Sequence, residues 1–74
     1  MSYEEDMAAA RTAMRKLMQT ECEELNILIP MLDRIIALRE ARNRPVVLFR
    51  DARYEAAGVR TELLRVLATP EVQG

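Results

Sequence analysis

Seventy-four residues with a formal net charge of −1 and no histidine make one domain at most, without the basic excess of a general nucleic-acid binder. Half of the residues are hydrophobic, too many for a disordered chain. Cys22 is the only cysteine, which excludes an internal disulfide, and one thiol without imidazoles cannot form a zinc site of the usual Cys/His type.

A folded chain of this length buries only about 60–65% of the surface its unfolded form exposes, so its own core is marginal. With disulfide and metal excluded, association with another chain is the stabilising device left. Leu, Ile, Val, Ala and five methionines supply the apolar mass, and only two glycines are present. That inventory points to an all-α protein. Ten arginines against one lysine suggest a GC-rich bacterial or phage genome. The acidic start (Glu4, Glu5, Asp6) has no apolar signal core, and the uncharged stretch 25–32 is far short of the roughly 20 residues that span a bilayer. A cytoplasmic location and no membrane contact are expected.

The first element is a long helix over about residues 3–42. Apolar residues recur at steps of three and four at positions 7, 10, 14, 18, 22, 25, 29, 32 and 36, the spacing of one helix face. Leu17, Leu28, Ile35 and Leu38 widen that stripe. Ser2 followed by Glu5 has the form of a capping box, and three acidic residues suit the positive end of the helix dipole. Pro30 removes a helical hydrogen bond and clashes with the preceding turn, at about 3 kcal/mol in a helix interior. The helix is therefore kinked at Pro30, or broken over residues 26–30 to give a three-helix bundle. The stripe keeps its phase through Ile29, Leu32 and Ile36, which favours the kink.

Asn43 can close one helix or cap the next, and Pro45 suits a first turn. A second helix is expected over about residues 44–68. Phe49, Ala52, Ala56, Val59, Leu63 and Val66 follow in alternating steps of three and four, the seam of a coiled coil. Gly58, with Ala52, Ala56 and Ala57 nearby, leaves a thin surface that another helix could approach closely. The apolar run Val46-Val47-Leu48-Phe49 has no second strand to pair with. Pro70 ends the helix, and residues 70–74 form a tail. The fold expected is a helical hairpin, its longer first arm completing a bundle by oligomerisation, a homodimer foremost.

Charge is segregated along the chain. Residues 1–33 hold three basic and seven acidic residues, a net −4; residues 34–53 hold six and two, a net +4; residues 54–74 hold two and three, a net −1. The turn is thus basic and the open end acidic. Arginine forks bind phosphate and carboxylate bidentately, so Arg39, Arg42, Arg44, Arg50 and Arg53 are a candidate anion site for a nucleotide signal or a nucleic-acid backbone. Alternatively the same polarity orients an antiparallel pairing of two chains. Glu21 and Glu24 share a helix face, but carboxylate-bridged metal sites in helix bundles also need histidine, so no metal and no cofactor are expected. Cys22 lies on the apolar stripe and reads as a core residue. Ser2 is the only serine and has no base to activate it, so no catalytic residue is assigned and the chain reads as a non-enzyme.

The run Glu5-Asp6-Met7-Ala8-Ala9-Ala10-Arg11, continuing to Leu17-Met18, resembles the first helix of the small head–tail joining proteins of tailed phages, although the β-hairpin that follows in that family is absent. Asp51-Ala52-Arg53-Tyr54 and Arg65-Val66-Leu67-Ala68-Thr69-Pro70 look like the last helix of phage proteins that sequester cyclic oligonucleotide signals, with shorter spacing between the two pieces. Both resemblances imply a small phage accessory protein. The reading that joins these observations is a small regulatory or scaffolding protein that binds a partner protein. Its interface, shared with the oligomer contact, draws on Met7, Met14, Met18, Leu25, Phe49, Ala56, Val59 and Leu63, with the arginine cluster as the alternative site.

Overall fold

The computed structural model describes residues 2–69 and contains two antiparallel helices, α1 (Tyr3–Ala41) and α2 (Val47–Ala68), in an all-helical hairpin 60 × 18 × 15 Å. The three-helix alternative is not realised, because α1 runs through Pro30 without interruption. Pro30 is exposed, so the Asn26 carbonyl it leaves unpaired faces water rather than a dry core. The apolar stripe on the other side of the helix keeps α2 packed across the proline, and tertiary contact thereby overrides a local breaking signal.

Each end of α1 is closed by residues whose chemistry suits the place. Ser2 is extended (φ −88°, ψ 153°), and its Oγ accepts a hydrogen bond from the Glu5 amide at 3.2 Å. Glu4, Glu5 and Asp6 fill the first turn, where the dipole favours negative charge. At the other end Asn43 takes the left-handed conformation with φ 55°. The Asn43 amide donates to the Glu40 carbonyl at 3.1 Å and the Arg44 amide to the Arg39 carbonyl at 2.8 Å, the paired bonds of a Schellman stop. Asn43 therefore closes α1 and does not cap α2. Replacing Asn43 by alanine is expected to cost about 1 kcal/mol, because alanine meets the left-handed strain without the short polar side chain that lets asparagine tolerate it. Glycine should be neutral or stabilising there, and thermal melts of the two variants check the sign.

The same stop delays the second helix. With the Arg44 amide turned back onto α1, α2 starts at Val47 rather than near residue 44, and Pro45 precedes the helix instead of sitting in its first turn. Its first backbone bond runs from the Arg50 amide to the Val46 carbonyl at 2.9 Å, and no side chain caps this end. At the far end Thr69 is extended (ψ 126°), as the residue before a proline prefers. The expected tail over residues 70–74 lies outside the described residues.

The core is small. Cys22, Ile29, Leu32 and Ala56 are the buried hydrophobic residues among those described, and none is completely enclosed. Ile29, Leu32 and Ala56 form one cluster, with Leu25, Phe49 and Ala57 packed against it. The chain exposes 6213 Å², whereas a compact folded chain of its mass exposes about 4,700 Å². A large surface for its mass is in keeping with a shape two helices wide and one helix thick.

Candidate functional site: an open apolar face

The two sides of the hairpin differ in chemistry. At 3.6 residues per turn, Leu17, Leu28 and Met31 on α1 stand to one side of the Cys22–Ile29–Leu32 row. Leu48, Ala52, Val59 and Val66 on α2 are offset in the same rotational sense from Phe49, Ala56 and Leu63. Because the helices run antiparallel, both offsets fall on the same side of the hairpin. Leu17, Leu28, Met31, Leu48, Val59 and Val66 are all exposed there, Leu48 by as much as 80%.

The opposite side carries the polar links between the helices. Arg53 Nε donates to Asp33 Oδ1 at 3.0 Å, Arg50 Nη2 to Glu40 Oε2 at 2.5 Å, and Arg60 Nη1 to Asn26 Oδ1 at 3.3 Å. These pairs are solvent-exposed and worth at most about 1 kcal/mol each. Their main effect is to hold register along one edge. Arg15 anchors the open end: its Nη2 donates to the Leu67 carbonyl at 2.7 Å and its Nη1 to the Thr69 carbonyl at 3.5 Å. A cation at those carbonyls also suits the negative end of the α2 dipole. Arg15 therefore marks where α2 stops along α1, and residues 3–14 project beyond it.

On that projecting arm Met7 and Met14 are 39% and 53% exposed. They line a depression of about 320 Å³ together with Ala10, Arg11 and Met18. Met18 is shared with a second groove of about 580 Å³ over α2, floored by Gly58, Val59, Leu63 and Val66 and flanked by Glu55 and Glu62. A β-carbon built on Gly58 meets nothing within 4 Å. The groove is thus open space above a bare stretch of helix.

The residues expected at an interface divide between two places. Leu25, Phe49 and Ala56 pack within the chain's own core. Met7, Met14 and Val59 are exposed, and Met18 and Leu63 are half-buried at the groove. The candidate anion cluster divides as well. Arg50 and Arg53 hold Glu40 and Asp33. Arg39 is half-buried; its Nε donates to the Pro45 carbonyl at 2.8 Å and its guanidinium lies 4.8 Å from the centroid of the Phe49 ring, a cation–π contact. Arg42 and Arg44 are exposed and, with Leu38 and Arg39, line a depression of about 340 Å³ at the turn.

Leu48 and Val66 on the open face were legible only once the phase of α2 against α1 was known. The tying roles of Arg15 and Arg39 had no sequence signal, since each depends on a residue brought close by the turn. Among the described residues there is no group of three or more His, Cys, Asp or Glu side chains able to hold a metal ion, and no helix is long and apolar enough to cross a membrane. No protein-family model, no curated protein and no solved structure matches the chain.

Proposed function

We propose that this protein is a non-enzymatic interaction module that associates with itself and presents helical surface to bind, inhibit or scaffold a partner protein. The observation that carries the reading is the set of large apolar side chains left exposed on one side of the hairpin, Leu17, Leu28, Met31, Leu48, Val59 and Val66. Large apolar side chains gathered and exposed on one side of a small protein suit an interaction site, and methionines at Met7, Met14 and Met18 suit a surface that adapts to its partner. In this reading Pro30 bends α1 with its convex side toward solvent, wrapping the arm around the bundle. Light scattering at micromolar concentration is expected to give a mass of two chains or more. A mass of one chain, with cooperative unfolding, would end this reading.

A second reading is anion binding at the turn, favoured by the exposed guanidiniums of Arg42 and Arg44 beside the depression there. Thermal-shift measurements against nucleotides separate the two. A ligand at 100 times its Kd adds about 2.7 kcal/mol of stability, and Arg42→Ala with Arg44→Ala should abolish that shift. A shift that survives both substitutions places the ligand elsewhere.

A further inference from the structure

We propose that two copies of the chain associate by exchanging arms, the projecting first turns of α1 from each copy lying in the Gly58 groove of the other. The proposal rests on the self-association reading above and adds the occupant, the surface and the direction. Arm and groove match in length: Met7 to Met14 spans about 10 Å of helix, and Gly58 to Val66 about 12 Å. They match in chemistry, since the arm offers Met7, Ala10 and Met14 to a floor of Val59, Leu63 and Val66.

They also match in charge. Arg11 lies beside the methionines on the arm, and Glu55 and Glu62 flank the groove. Both surfaces belong to one chain and meet at Met18. A two-fold axis passing near Met18 therefore lays each arm in the partner copy's groove at once, giving a closed, self-complementary contact that cannot propagate into a fibre. A stable interface of standard size buries about 800 Å² per partner. Of the 6213 Å² that the chain exposes, such a contact would take about an eighth.

Gly58 provides the clean test. Because a side chain there meets open space within its own chain and removes a helix-weakening glycine, Gly58→Leu should retain its helix content. Filling the groove should nevertheless raise the dimer Kd by about tenfold or more, read by sedimentation equilibrium alongside circular dichroism. Arg11→Glu and Glu62→Arg should each weaken association, and the chain carrying both should recover most of it, because the pairing is restored in reverse. A wild-type dimer that Gly58→Leu and both single reversals leave unchanged would overturn arm exchange while self-association stands. A wild-type protein with the mass of one chain would overturn both.

Discussion

Replacing Ile29 by alanine is expected to cost about 2–5 kcal/mol, a large part of the stability available to a domain of this size. Ile29 is 4% exposed, lower than any other buried core residue, and lies in the cluster with Leu32 and Ala56 that joins the two helices. There is little around it to collapse into the space vacated, since the hairpin has no third layer. Chemical denaturation followed by circular dichroism checks the size of the loss. Leu28→Ala is the control: Leu28 is 42% exposed on the same helix, and in an isolated hairpin its truncation should cost well under half as much. If both substitutions cost the same, Leu28 is covered in solution, a result that only association explains.

The second large effect is on concentration. If folding and association are coupled, tenfold dilution removes about 1.4 kcal/mol of stability per dimer, and the melting midpoint falls by about 3–6 °C. A hairpin that is stable alone melts at the same temperature at every concentration. Melts across two decades of protein concentration decide between these outcomes without any substitution.

The helical hairpin was legible in the sequence because the apolar spacing keeps one phase through Pro30 and resumes after Pro45, with too few glycines for other architectures. α2 starts later than its apolar spacing suggests for a specific reason. Asn43 suits both a cap and a left-handed stop, and only the bond from Arg44 back to Arg39 decides between them. The candidate interface was half legible. Period alone collects Leu25, Phe49 and Ala56 together with Met7, Met14 and Val59, and which of them face the chain's own second helix depends on how the two helices are rotated against each other. The arginine cluster was read from charge density, whereas three of its five members have a partner within the chain: Glu40, Asp33, or the Pro45 carbonyl and Phe49 ring.

Arg39 has one more consequence. Its carbonyl accepts the Arg42 and Arg44 amides, its side chain donates to Pro45, and its charge covers Phe49, so α1, the link and α2 converge on a single residue. These contacts close a loop of only a few residues, while Arg15 reaches a carbonyl 52 positions away. Entropy favours the short closure first. The chain is expected to zip from the Arg39 end outward, leaving the methionine-bearing arm as the last part to find cover.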